Sequence, residues 1–518
     1  LSRFYAHVNE EHPGIDEKSR RIFRTVDQIR GQCCETLTNV SSISRREFLM
    51  TTTSLVGGAL AAACAAGPPA QPPHRSRPAQ PPQSTQSVDA TQPAESTLPV
   101  DPKSILVVGA GMAGLAAARS LTDAGRPVLV IEARDRIGGR VHTARDWGTP
   151  LEMGASWVHG TTGNPLVELA QQLQLQLIPT DYYTSTKLAV DPRLPPLNYN
   201  MKAWRRFVDR ASDRVDGGSL GAAVDAAASS QELSDSDRAQ LAFYLTTEIA
   251  DEYAADPDQL SATTFDEGEY TGGDQAVIPS GYDAVPKLLA DGLQIVLSTP
   301  VTAVQRTENS VIVRTGNRSF EGPAAIVTVP LGVLKSGAII FDPPLPDAHI
   351  RAVNSLGFGV LSKSFFRFSR RTWTAENAFY QFIGSDSRRW AQWFTLPSSA
   401  GPIVLALNGG AIGRAVESSA ANDLMASALP VARHLFGDDI SLVDVRTSSW
   451  TADPYARGSY SFHPPGAGLD DRRRLQEPIG DRLYLAGEAV GTNNPATVHG
   501  ALLSGRYAAA ELMKRLGR

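Results

Sequence analysis

An unbroken apolar run, Ile105 to Val108, stops abruptly on Gly109-Ala110-Gly111-Met112-Ala113-Gly114. An Ala/Leu-rich stretch with helical spacing follows, then a second apolar run, Val128 to Ile131, that ends on Glu132. Apolar runs without polar alternation predict strands covered on both faces, the situation inside a parallel sheet. Further along, Ile295 to Leu297, Val301 to Val304 and Val311 to Arg314 read as short strands, and Ala325 to Val329 as another, ended by Pro330-Leu331-Gly332. Near the C-terminus Arg482 to Ala486 predicts a strand that closes on Gly487-Glu488. A helix is expected from about His499 to Leu516, and its small residues (Gly500, Ala501, Ser504, Gly505, Ala508, Ala509) predict close packing on a sheet.

Strand, glycine turn, helix, strand and acid, in that order, form a dinucleotide-binding unit. The first glycine permits the tight turn, the second lets backbone approach a pyrophosphate, and the third lets helix lie against strand. The helix N-terminus, at Gly111, Met112 and Ala113, offers unpaired N–H groups and a positive dipole end to phosphate. Glu132 falls about 20 residues on, where a carboxylate accepts both ribose hydroxyls; it would repel a 2′-phosphate, which disfavours NADP. The segment Ala133-Arg134-Asp135-Arg136-Ile137-Gly138-Gly139-Arg140 adds a second glycine pair and three arginines, a further close approach with cationic donors for an extended diphosphate.

Two stretches separate the glycine-punctuated, strand-rich parts. One, about 183–271, is helical and charged. The other, about 333–449, mixes strand-like runs (Ser362 to Phe368, Ile403 to Leu407) with helices such as Ala420 to Leu435. The expected fold class is α/β: a discontinuous Rossmann-like nucleotide domain made of 103–182, 272–332 and 450–518, with an α+β substrate domain from 183–271 and 333–449 inserted in it. A chain of 518 residues has ample material for both.

Charge and cysteine content narrow the chemistry. Lys plus Arg total 49 against 54 Asp plus Glu, a net charge of −5, so there is no basic field for nucleic acid. All three cysteines, Cys33, Cys34 and Cys64, precede residue 65. The body beyond them therefore has no disulfide, no cysteine-ligated metal and no cysteine nucleophile, and no zinc-type spacing is present.

The first hundred residues read differently. Ser44-Arg45-Arg46-Glu47-Phe48-Leu49-Met50 is a twin-arginine export pattern, followed by an uncharged run, Thr51 to Ala63. That run of about 13 residues suits a signal core and is too short to span a bilayer. Twin-arginine export carries folded proteins, so the expected destination is the periplasm or cell envelope. Cys64 closes an imperfect lipoprotein-type site; acylation there, the sole membrane attachment expected, and ordinary cleavage nearby both remain open. Residues 1–66 are thus expected to be a leader, and the Pro/Gln/Ser-rich stretch 67–102 an extended spacer that cannot bury enough surface to fold. Residues 1–40, which begin with Leu, precede a normal signal start and carry no weight in this reading.

The motifs also carry a resemblance. Residues 103–518 resemble the flavin-dependent amine oxidases: ARDRIGGR after the second strand, Leu151-Glu-Met-Gly-Ala-Ser-Trp157-Val-His159-Gly, Val329-Pro-Leu-Gly-Val-Leu334, Leu356-Gly-Phe-Gly359 with Lys363, Asp453-Pro-Tyr-Ala-Arg-Gly458-Ser-Tyr460, and Asn494-Pro-Ala-Thr497-Val498-His-Gly500. The likeness is greatest to polyamine oxidases and extends to flavin-type histone-lysine demethylases, whose large helical insertion is absent. It implies FAD, held by Gly109, Gly111, Met112, Ala113, Gly114, Glu132, Arg134, Gly139, Arg140, backbone of Val301, Gly487, Glu488, Thr497 and Val498. Ser459 stands where monoamine oxidases attach flavin to a cysteine, which implies non-covalent FAD.

The resemblance also assigns chemistry. Lys363, which by pattern alone is a strand residue facing solvent, matches the lysine that bonds through water to the flavin's reactive nitrogen. Buried there, an ammonium stabilises negative charge as reduced flavin meets oxygen. Tyr460 matches one wall of an aromatic box whose other wall falls at Thr497, a departure that fits wider polyamine sites. His159 is implied as a hydrogen-bonding group for a substrate nitrogen, while Trp157 and His159 as a bare pair also fit simple packing. The acids Glu248, Asp251, Glu252 and Asp256 fit either attraction of a polycation or an exposed helix end.

The implied reaction is hydride transfer from an amine α-carbon to FAD, with O2 as the final acceptor, giving H2O2, an aldehyde and a shorter amine. Three rivals stand beside it. An L-amino-acid oxidase would need an arginine clamp, for which Arg205, Arg206 and Arg367 are candidates. The others are a non-catalytic flavoprotein binding module and a desaturase passing electrons to a quinone.

Overall fold

The computed structural model describes residues 101–517 apart from 182 and 385–387. The export pattern, Cys33, Cys34, Cys64 and nearly all of the Pro-rich stretch lie outside the described residues.

The apolar runs form one parallel sheet of five strands, in the order Leu483–Leu485, Ala325–Val327, Ile105–Val108, Val128–Ile131, Ile295–Val296. Alternation within each run explains why no polar positions interrupt it. Ile105, Val107 and Val130 face a helical layer with Leu115, Leu502 and Leu512. Leu106, Val108, Leu129 and Ile131 face the opposite way, onto a core with Val304, Val313 and Phe320. That second core belongs to a four-stranded sheet, Ser319–Gly322, Val311–Thr315, Val301–Arg306 and Ile340–Asp342.

Helix Met112–Asp123 follows the glycine turn, and helix Val498–Leu516 lies directly on it. The small residues of the C-terminal helix therefore serve mainly helix-on-helix contact: a Cβ at Gly505 would sit 2.0 Å from the carbonyl oxygen of Ala113.

A second, six-stranded sheet runs Leu442–Thr447, Leu361–Phe368, Ile403–Gly409, Gln392–Thr395, Phe379–Ile383, Ser185–Val190. All its pairs are antiparallel except the last. The edge strand Ser185–Val190 departs from the expectation of a wholly helical stretch there; its partly exposed face gives it little apolar patterning. One face of this sheet packs aromatic residues (Phe366, Phe368, Trp393) under helix Ala421–Phe436. The other places Phe365, Leu405 and Leu407 against Met153 and Trp157. Lys363 is in register with Leu407 and two residues before Phe365, so it shares that second face. Helices Met201–Ser212, Leu220–Ser229 and Asp235–Tyr244 form a separate cluster, and the last runs into a π-helical turn, Leu245–Ala250.

Candidate active site

The carboxyl ends of the parallel strands open on a cavity of about 390 Å³. Every nucleotide-side residue named from the sequence lines it except Gly114, and so do Lys363, His159, Tyr460 and Thr497.

The nucleotide side is built from backbone. Gly114 lies under the turn, where a Cβ would stand 1.9 Å from the carbonyl oxygen of Gly109. Gly111 is the opposite case: a Cβ there would meet nothing within 4 Å, because its Cα faces the cavity. Gly138 donates its N–H to the Ala110 carbonyl at 2.8 Å, which draws the second glycine pair against the first turn. Helix Met112–Asp123 has Gly111 as its N-cap, with no side-chain cap bond and no acid in its first turn. Its leading amides are thus left for an anion. Glu132 is buried, and its two oxygens accept the Ala110 and Arg134 N–H groups at 2.6 and 2.9 Å. Open space over Gly111, an uncapped helix end and an anchored carboxylate fit a diphosphate joined to a ribose.

The arginines are less free than the sequence suggested. Arg134 is paired with Asp453 at 2.7 Å, and Arg140 with Glu488 at 2.8 Å. Arg136 donates to the Ile137 and Gly139 carbonyls and is not among the cavity-lining residues. Glu488 also accepts the Ser461 hydroxyl at 2.6 Å. Burial pushes its carboxyl up, but Arg140 and Arg472 outweigh that and hold it below the ordinary carboxylate value.

The opposite side is built from buried side chains. Lys363 is 4% exposed. Its ammonium donates to the carbonyl of Glu152 at 3.4 Å, and to the carbonyl of Gly154 and the hydroxyl of Ser156. Three N–H donors therefore meet three oxygens from one short segment, which holds the amine against the cavity. Its nitrogen also lies 5.4 Å from the centre of the Trp157 ring. Desolvation lowers the Lys363 pKa, opposed by the nearby charge of Glu152. Glu152, missed in the sequence, is itself raised by burial, against bonds from the Tyr282 N–H and the Thr143 hydroxyl. Nothing in the local pattern Leu151-Glu152-Met153 signals that a distant lysine is folded over it.

Trp157 does both things expected of it: it packs on Phe379 and Phe394 and also faces the cavity. His159 Nδ1 lies 2.8 Å from Gln275 Oε1. Tyr460 donates its hydroxyl to the main-chain oxygens of Asp251 and Glu252 at 3.0 and 3.2 Å. Thr497 caps the C-terminal helix, accepting the Gly500 N–H at 3.0 Å. The acids correct one expectation. Asp251 and Glu252 do not lie on an exposed helix end; they are buried at the cavity wall, while Asp256 is partly exposed.

This constellation agrees with the sequence comparisons. A family model described as flavin containing amine oxidoreductase matches residues 112–513. The chain belongs to that family. Polyamine oxidase 2 of Arabidopsis thaliana is 31% identical over 436 residues, covering 80% of this chain and 88% of that protein. Polyamine oxidase 4 of Oryza sativa subsp. japonica is 31% identical over 447 residues, covering 80% and 89%. Lysine-specific histone demethylase 1 homolog 1 of Arabidopsis thaliana is 34% identical over 444 residues, but this chain spans only 52% of it. The protein is accordingly an FAD-dependent amine oxidoreductase.

Proposed function

We propose that this amine oxidoreductase is a polyamine-type oxidase that cleaves a C–N bond and passes the electrons to O2, yielding H2O2, an aldehyde and a shorter amine. The observation that carries this reading is the polarity of the cavity on the side of Lys363. Its acidic residues there are Asp251 and Glu252, while none of Arg205, Arg206 and Arg367 lines it. Arg205 lies 3.7 Å from Asp209 on its own helix, and Arg367 stacks over Trp147 at 4.3 Å. With two buried acids on the Lys363 side and none of those three arginines in its lining, the cavity suits a cation better than an α-carboxylate.

Bound FAD would supply the hydride acceptor. The turn at Gly109–Gly114, with Glu132, Gly139, Val301, Glu488 and Val498, would hold it. Lys363 keeps an ammonium at the cavity wall, where low dielectric strengthens its attraction for developing negative charge. Leu361, Leu407 and Trp157 exclude water from the same wall, which favours the neutral form of the reacting amine. Tyr460 and Thr497 bound the space in which the substrate is oriented, and His159, steadied by Gln275, offers a ring nitrogen to a substrate nitrogen.

Within this reading the parallel sheet is the Rossmann-like FAD domain, drawn from 103–182, 272–332 and 450–518. The six-stranded sheet and helical cluster form the substrate domain, from 183–271 and 333–449. The twin-arginine pattern supports export of the folded flavoprotein; cell fractionation and the mass of the mature N-terminus would test export and the fate of Cys64. The activity itself is tested by peroxide release from the purified yellow protein. Turnover of spermidine or N-acetylspermine, without turnover of Leu or Phe, is expected; the reverse preference overturns the proposal.

A further inference from the structure

A second cavity, of about 90 Å³, shares Ser156 and Trp157 with the first. Lys363 lines the first and not the second. The second is bounded inside by Glu152 and Ser156 and reaches the surface at Ser399, which is exposed. With Asn377 also in its lining, it has both the room and the polar partners to hold water. The three oxygens that take the Lys363 ammonium are not equivalent. The carbonyls of Glu152 and Gly154 accept a hydrogen and have none to return. The Ser156 hydroxyl accepts from the same ammonium and carries a hydrogen of its own. Of the three, it alone can pass a proton on, and it belongs to the residue that both cavities share.

We propose that the second cavity is the proton route to Lys363, with the Ser156 hydroxyl carrying the proton between them. This rests on the oxidase reading above and extends it to how the lysine is reprotonated in each turnover. A hydride brings two electrons and one proton, whereas reduction of O2 to H2O2 takes two electrons and two protons. The missing proton leaves the Lys363 ammonium, which becomes a neutral amine. The Ser156 O–H bond then breaks toward that amine nitrogen, while the serine oxygen takes a proton from water in the second cavity. Lysine and serine are restored, and the net change is one proton drawn from solvent.

The surroundings favour this direction of supply. On the side of the first cavity the lysine is bordered by Leu361, Leu407 and Trp157, which form no proton chain. On the other side the lining of the second cavity includes Glu152 itself. Burial lowers the pKa of Lys363 and raises that of Glu152, which brings both toward neutral pH. A group that titrates near the working pH both takes up and releases protons readily. One such group therefore lies at each end of the serine link.

Ser156→Ala leaves Lys363 its two carbonyl partners and breaks the chain, and Ser156→Thr restores a hydroxyl. Ala400→Phe fills the second cavity from a residue that does not line the first. Flavin-loaded protein, reduced by titration with dithionite and mixed with oxygenated buffer, reads the step without any amine. Reoxidation should slow about tenfold or more in Ser156→Ala, less than the ~10²–10⁴ of losing a proton-transfer group outright. Ser156→Thr should recover most of the rate, and Ala400→Phe should fall between. A second readout needs no turnover: nuclear magnetic resonance of protein with isotope-labelled lysine side-chain nitrogens, the Lys363 signal being the one lost in Lys363→Met. Its ammonium hydrogens should exchange with solvent several-fold more slowly in Ser156→Ala and in Ala400→Phe. Unchanged reoxidation or unchanged exchange in Ser156→Ala, a loss that Ser156→Thr does not restore, or wild-type exchange in Ala400→Phe would overturn the route. Reduced wild-type flavin that O2 leaves reduced would overturn the oxidase reading instead, so the two failures are distinguishable.

Discussion

The two halves of the cavity are made by different means. The nucleotide side comes largely from one continuous stretch, 105–140, and its constraints are backbone constraints: a carbonyl under Gly114, open space over Gly111, amides anchoring Glu132. The amine side is assembled from Met153–Trp157, Asp251–Glu252, Lys363 and Tyr460, which meet only in the folded chain. Its constraints are charges in a low dielectric. A backbone cradle either forms or does not, whereas a set of buried charges can be shifted by degrees. Substitutions on the two sides should therefore fail differently.

The largest effect is expected on the nucleotide side. In Gly114→Val the new side chain would run into the Gly109 carbonyl at 1.9 Å, and a main-chain atom cannot swing aside. Loss of bound FAD, read from flavin absorbance per protein, with a lowered melting temperature is predicted; wild-type flavin content in this variant would remove the distinction. On the amine side Lys363→Met should leave the protein yellow. Anaerobic flavin reduction by amine should persist while reoxidation by O2 slows by about 10²–10³, the scale of losing one aimed charge or donor. Stopped-flow traces resolve the two half-reactions, and undiminished reoxidation would contradict the role given to the lysine.

A graded effect is expected from Glu152→Gln. Glu152 raises the Lys363 pKa against desolvation, so removing its charge lowers that pKa further. The protonated lysine then persists only to lower pH, and the alkaline fall in reoxidation rate should move acidic by about one unit. An unmoved profile would mean that the two groups do not communicate. The smallest effect is Thr497→Ala, which removes the N-cap of the C-terminal helix and is expected to destabilise by about 1 kcal/mol with FAD retained. A thermal melt followed by flavin fluorescence checks it.

The same contrast governs what the sequence discloses. The glycine turn, the strand ends and Glu132 are local features whose spacing states their geometry, and each nucleotide-side residue except Gly114 reaches the cavity. Gly114 instead performs the packing role expected of a third glycine. Lys363 is different. Its strand pattern alone suggests an exposed position, and only the segment Glu152–Ser156 folding over that face buries it. For Asp251 and Glu252 the sequence leaves a polycation site and an exposed helix end both open, because regular helical spacing cannot foresee the π-turn that precedes them. The edge strand Ser185–Val190 and the helix-on-helix seat of Gly505 were illegible for a related reason: both depend on a partner far away in the chain.

The most direct test is an anaerobic spectral titration of the purified protein with spermidine. Oxidised-flavin absorbance that bleaches on amine addition and returns on admitting air is the predicted result. Protein that stays colourless after incubation with FAD, or yellow protein that no amine bleaches, would contradict it.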